Sequence, residues 1–266
     1  MRSFKLFLIF SFILLTHHLS LFGQNKHVLG KKSAWNIEGS IIRSPSPSHS
    51  RFYEERSDAY AHFSPTTSFE GRVAYHRYVG KKMGISAGLT MSVYPFTMRS
   101  FATKEFLNYY YDIDFFPGGA GGPDVHYGGP YLEFRPGISR YYRISEKFLL
   151  SPEVNLNLAY FVSYFLNESV VALDTIPSNS RTVFASHTDY NLDGKIFLAP
   201  ELSLNASYQI GKRLLLSAKC FAKYSNKTVL KGNYQIIGET ETLEGSFTKK
   251  YRYVGLSLGV ILLSKT

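Results

Sequence analysis

The chain of 266 residues has little of what most enzymes and disulfide scaffolds rely on. It holds a single cysteine, Cys220, so it can form no internal disulfide. Nor does a cysteine follow the N-terminal apolar run, which excludes lipidation there. Beyond residues 1–23 no stretch approaches the roughly 18 apolar residues that suggest a transmembrane helix. HExxH and paired-cysteine patterns are missing, and His49, His62, His126 and His187 fall in separate segments, so no metal site is implied. The glycines over 118–129 precede no helical pattern, which argues against a phosphate cradle. Tryptophan occurs once, yet there are 20 Tyr and 21 Phe.

What is present begins with an export signal. Arg2 and Lys5 are followed by the apolar run Leu6–Leu15, then by small and polar residues ending at Gly23. Residues 1–23 therefore read as a cleaved signal peptide, 24–34 as an N-terminal segment and 35–266 as one β domain. The formal charge is +10, and removal of Arg2 and Lys5 leaves +8. The cations are scattered and the chain is exported, so membrane lipid is the expected counterpart and nucleic acid is not.

Period-two alternation runs through the mature chain and helical periodicity is nearly absent. In 83–93, Met83, Ile85, Ala87, Leu89, Met91 and Val93 share one face, while Gly84, Ser86, Gly88, Thr90 and Ser92 share the other. The same pattern predicts about eight strands, ten being possible, near 35–43, 68–78, 82–94, 130–140, 147–164, 194–210, 212–225 and 250–263. Short turns at 79–81, 143–146 and 211–212 alternate with long polar segments at 44–67, 95–129, 165–193 and 226–249. Such short-long alternation predicts an all-β, antiparallel, up-and-down transmembrane barrel with tight turns on one side and long external loops on the other. Within the long segments, 229–237 and 243–253 alternate well enough to be hairpin arms, and 112–129 reads as irregular loop.

With the apolar faces against lipid, the other faces line the lumen. Five carboxylates (Glu38, Glu70, Glu133, Glu153, Glu201) then meet five cations (Arg72, Arg135, Lys195, Lys219, Lys223). Charges in a narrow interior need partners, so near-equal numbers predict an ion-pair network that closes or gates the barrel. His76 shares that face with Arg72 and reads as a hydrogen-bonding residue of the lumen. Pro136, Pro152 and Pro200 fall within strands and predict bulges, since proline lacks a ladder donor. Tyr75, Tyr78, Phe148 and Tyr208 near the short turns, and Tyr94, Phe96, Tyr160 and Tyr164 near the long segments, predict two aromatic girdles.

This pattern, with the repeated Ser151-Pro152-Glu153-Val154-Asn155-Leu156-Asn157 and Ala199-Pro200-Glu201-Leu202-Ser203-Leu204-Asn205, resembles the small outer-membrane β-barrels of OmpA or OmpX type. The resemblance covers about 35–263. It implies an outer-membrane location in Gram-negative bacteria, insertion by the barrel-assembly machinery, no cofactor, and a non-enzymatic role in envelope integrity or loop binding. Members often end in an aromatic residue, whereas this chain ends Leu262-Leu263-Ser264-Lys265-Thr266.

Chemistry-bearing motifs are sparse. Ser186-His187-Thr188-Asp189 combines serine, histidine and an acid, but neighbours on an extended chain point to opposite sides and cannot relay a proton together. Asp112, Asp114 and Asp124 match no calcium-loop spacing and read as solvated acids. Two other readings stand beside the barrel of closed lumen. One is a lipid A-modifying barrel enzyme with a Ser/His/acid group at the outer rim. The other is a soluble periplasmic lipocalin-like barrel with its apolar faces turned inward; alternation alone does not distinguish inside from outside.

Overall fold

The computed structural model describes residues 31–264, apart from 52–57, 80–81, 109–112, 116–126, 162–164, 174–179 and 190–195. In chain order the strands are β1 (Ser33–Ser44), β2 (Ser48–Arg51), β3 (Ala59–Ser64), β4 (Thr66–Val79), β5 (Met83–Ala102), β6 (Ile113–Phe115) and β7 (Tyr127–Arg140). They continue as β8 (Tyr142–Arg143), β9 (Phe148–Phe161), β10 (Phe165–Leu173), β11 (Ser180–Asp189), β12 (Ile196–Gln209), β13 (Leu214–Ile237) and β14 (Thr242–Leu263). A single helical turn, α1 (Lys104–Leu107), follows β5, capped by the Thr103 side chain and closed by Asn108 at positive φ.

Eight strands close the barrel in the order β1-β4-β5-β7-β9-β12-β13-β14, every pair antiparallel, with β14 returning to β1. The pairings fix its stagger. From Glu38 one path runs through Arg72, Thr90, Glu133 and Ala159 to Phe197 on β12. The other runs through Gly259 and Ser217 to Ser207 on the same strand, ten residues away. A stagger of that size tilts the strands by roughly 35–45° and leaves an interior of side-chain width.

Alternation decides which face is which. In β1, Trp35, Ile37 and Ile41 point out while Asn36, Glu38, Ser40 and Ile42 point in. In β14, Val254, Leu256 and Leu258 point out, and Leu258 is 73% exposed. Phe69, Leu89, Met91, Phe134, Leu156 and Leu198 extend this belt around the barrel. An apolar belt outside and a charged interior make this a transmembrane barrel and reverse the polarity that the lipocalin-like reading requires.

The expected long loops contain more strand than their sequence suggested. β13 and β14 run 24 and 22 residues, about twice the 9–11 that a bilayer needs, and their upper halves pair from Thr228↔Lys250 to Ile237↔Thr242. β5 continues to Ala102, where β3 and β6 flank it, and β10 and β11 form a hairpin on the upper half of β13. Within the segment expected to be irregular, 113–115 and 127–129 are strand. Pairing with β5 holds both pieces, and it overrides the weak strand propensity of Gly128 and Gly129.

The prolines correct a second expectation, because none of them sits at a bulge. Register is unbroken at Ala87↔Pro136, Leu204↔Pro152 and Pro200↔Leu156. Each lies instead where pairing lapses on its other side. The β7–β9 ladder skips from Phe134↔Leu158 to Gly137↔Asn155, and it stops at Glu153, one residue above Pro152. The β12–β13 ladder starts only at Glu201, one residue below Pro200. Proline withholds one donor, so losing one rung on one side suffices. The register shifts occur elsewhere, at Val170/Val171 and between Tyr224 and Leu230.

Candidate functional site

The lumen is filled in tiers. At the short-turn end Ala34, Leu149, Leu215, Ile261 and Leu263 form an apolar floor with Tyr78 and Tyr141 against it. Tyr78 therefore does not belong to the girdle: it is one residue out of phase with the exposed Val79 and three from Tyr75, so it points inward. Among the described residues Trp35, Tyr75 and Tyr208 are the exposed aromatics at this end, with the Trp35 and Tyr75 rings 5.2 Å apart, while Phe148 is half-buried. Tyr160 is exposed towards the other end. The side chains of Tyr94 and Phe96, and all of Tyr164, lie outside the described residues.

Above the floor stand small polar side chains, Ser139, Ser151, Ser207 and Ser217, with His76, whose Nδ1 lies 3.4 Å from the Tyr141 hydroxyl. Asn36 Oδ1, Glu153 Oε1 and Asn205 Oδ1 find no protein partner, the kind of group that buried water satisfies.

The charged tier follows. Lys219 Nζ lies 2.7 and 2.9 Å from the two oxygens of Glu38 and 3.5 Å from Glu153. Asn36 donates to Glu38 at 2.6 Å and Ser203 to Glu153 at 3.4 Å. Glu201, wholly buried, accepts from Arg135 at 2.6 Å, Arg72 at 3.3 Å, Asn157 at 3.3 Å and Asn155 at 3.4 Å, and lies 3.6 Å from Lys223. Glu70 pairs with Arg72 and, at 3.3 Å, with Lys223, which also pairs with Glu133. The Arg72 guanidinium lies 3.6 Å above the Phe221 ring. These carboxylates and cations come from β1, β4, β7, β9, β12 and β13, six of the eight barrel strands. Nine of the ten charges expected in the lumen are buried there, and the tenth, Lys195, lies outside the described residues.

A tyrosine tier caps the charges. Tyr131 and Tyr253 each donate to Glu70 at 2.9 Å, and Tyr251 donates to Glu133 at 2.7 Å. The three hydroxyls meet one another at 2.9 and 3.1 Å. Phe161 and Phe197 stack 5.9 Å apart, both edge-on to Tyr251. Alternation puts Tyr253 on the lumen face with Gly255 and Ser257, but it gave no sign that Tyr131 and Tyr251 join it in a layer; the signal was the phase that Tyr251 shares with Ser257 on β14. The apolar cluster then continues outward through Phe63, Met98, Leu107, Tyr234, Ile236 and Phe247, with Phe63 and Phe247 rings 5.0 Å apart.

The remaining candidates do not assemble into a catalytic group. Ser186 and Thr188 are buried on one face of β11 while His187 is exposed on the other, and Asp189 lies 3.8 Å from Lys231. Lys249 donates to Ser44 at 2.7 Å with both residues buried. Among the described residues no cluster suited to a metal ion occurs; Asp112 and Asp124 fall outside them, as does the side chain of Asp114.

Fold and lumen define a class, the closed eight-stranded transmembrane barrel with a filled interior. No protein-family model matches the chain, and no curated protein matches it. Solved structures similar to it include the outer membrane protein OprG from Pseudomonas aeruginosa (10% identity, covering 89% of this chain and 98% of that one, TM-score 0.42). Another is Ail, the attachment invasion locus protein of Yersinia pestis, in complex with the heparin analogue sucrose octasulfate (7% identity, 88% and 99%, TM-score 0.35). The outer membrane protease OmpT from Escherichia coli is a third (8% identity, 91% and 99%, TM-score 0.38). At these identities neither the protease activity nor the heparin analogue transfers to this chain.

Proposed function

We propose that this chain is a non-enzymatic outer-membrane barrel, exported by cleavage of residues 1–23 and inserted by the barrel-assembly machinery. Its lumen is closed, and its role rests on the long hairpins outside the membrane, in envelope integrity or in binding. The observation that carries this reading is the filled interior: an apolar floor, nine buried charges and a tyrosine tier occupy successive levels of the lumen. A conducting pore needs a continuous wet path, and ions would have to cross the apolar floor and break charge-assisted hydrogen bonds in the charged and tyrosine tiers to make one.

Planar-bilayer recording tests this, using protein whose gel mobility shifts on boiling as a check of the folded barrel. The expected result is a bilayer without unitary current steps. Steps comparable to those of an open porin would overturn the closed lumen.

A further inference from the structure

The apolar belt is not uniform around the barrel. On the wall formed by β5, β7, β9 and β12, Val93, Leu132, Tyr160 and Leu198 carry it towards the long-hairpin end. Across β13, β14 and β1 cations interrupt it. Arg43, exposed, stands directly opposite Val254, an apolar residue of the belt itself. Arg252 follows on β14, two residues from Val254 and opposite Tyr224. Lys250 and Lys227 come next, both exposed, at the register shift where Thr228 pairs with Lys250. β14 thus carries two cations, flanked by one on each neighbouring strand, and the set spans two inter-strand steps of about 4.8 Å.

One observation shows that Arg252 is held in place, and a second shows that two of its neighbours are not already ion-paired. The Arg252 guanidinium lies 4.5 Å from the Tyr224 ring centre, and its Nη2 donates to Tyr224 Oη at 3.1 Å and to Asn226 Oδ1 at 3.0 Å. Tyr224 in turn donates to Asn226 at 2.7 Å, so the guanidinium is held flat beside the wall. Arg43 and Lys227 make no ion pair among the described residues, so their charge is available to a ligand.

We infer that Arg43, Lys227, Lys250 and Arg252 form a site for the phosphate groups of a multiply phosphorylated glycolipid in the outer leaflet. This rests on the reading of the chain as a membrane barrel with its long hairpins outside. Cations that run from the last apolar row to four residues beyond it span the depth at which lipid headgroups begin. Four of them close together match several negative charges better than the single charge of a phosphodiester. Arginine supplies the fork that holds phosphate oxygens in pairs, and lysine adds point charge at the rim. The acyl chains of such a lipid run down Ile41, Leu256 and Leu258.

Native mass spectrometry of the folded protein in mild detergent tests the site, with bisphosphorylated lipid A as probe and its dephosphorylated form and phosphatidylglycerol as comparisons. Each cation near a charged membrane surface contributes about five-fold in binding, so Arg43→Gln with Lys227→Gln is expected to weaken lipid A about 25-fold. Lys147→Gln with Lys212→Gln, at the short-turn end, is expected to change nothing. Equal binding of lipid A by wild type and the first pair, or equal binding of the dephosphorylated lipid or of phosphatidylglycerol, overturns the site while the barrel stands. Both variant pairs should keep the boiling shift, since all four side chains are exposed. A wild-type protein without that shift overturns the membrane reading and the site with it.

Discussion

Replacing Glu201 by Gln removes one negative charge and almost no volume, at the point where the lumen network is densest. Arg135, Arg72 and Lys223 lie 2.6, 3.3 and 3.6 Å from its oxygens, and the residue has no solvent exposure. The variant leaves Arg135 without an ion pair among the described residues, while Arg72 keeps Glu38 and Glu70 and Lys223 keeps Glu70 and Glu133. Breaking a buried pair by neutralising one member costs about 3–5 kcal/mol, because the other charge stays buried without compensation. Asp189→Asn provides the contrast, since its partner Lys231 is 3.8 Å away and both side chains are partly exposed. A pair of that kind contributes at most about 1 kcal/mol. Urea unfolding of the refolded barrel, read as the fraction of heat-shifted band on a gel, yields both values. A loss below about 1 kcal/mol for Glu201→Gln would refute the idea that these contacts, rather than trapped water, neutralise the lumen.

Two further outcomes follow from single residues. Lys249 lies five residues beyond Val254, above the membrane-spanning part of β14, and burial pulls its ammonium from 10.5 down to about 7. Between those values the folded protein binds fewer protons than the unfolded chain, so stability rises with pH from about 7 to 10, and Lys249→Met should flatten that rise. Parallel urea midpoints for the two proteins across this range would contradict it. Cys220, the sole cysteine, is exposed on the outer face between Leu204 and Leu256. In lipid vesicles an apolar maleimide should label it and a charged, water-soluble one should not; equal labelling would put this wall in water.

The strands and their inward faces were legible because period two survives wherever one face meets lipid and the other a polar interior. Glu38, Glu70, Arg72, Glu133, Arg135, Glu153, Glu201, Lys219 and Lys223 are buried side chains of such strands. Which face was inside could not be read from it, since a barrel turned inside out has the same pattern. Tyr78 was misplaced because nearness to a turn was weighed over its phase. The tyrosine tier was legible only in part: phase puts Tyr251 and Tyr253 on the lumen face, but it does not show the hydroxyl contact of Tyr253 with Tyr131 on β7. The prolines were assigned bulges because the lost donor was counted without asking which neighbouring strand it faced.

The network joins distant parts of the chain. Lys219 and Glu38 are 181 residues apart, and Tyr253 and Glu70 are 183 apart. In a sheet that has not yet closed, Glu38, Glu70 and Arg72 on β1 and β4 stand apart from the β13 and β14 side chains that pair with and cover them. A half-built sheet carries ionised groups that neither lipid nor a closed wall will accept, so its escape into the bilayer is uphill until the last strands join. The charges that fill the finished barrel thus also act as a test of completeness, passed only when β14 meets β1.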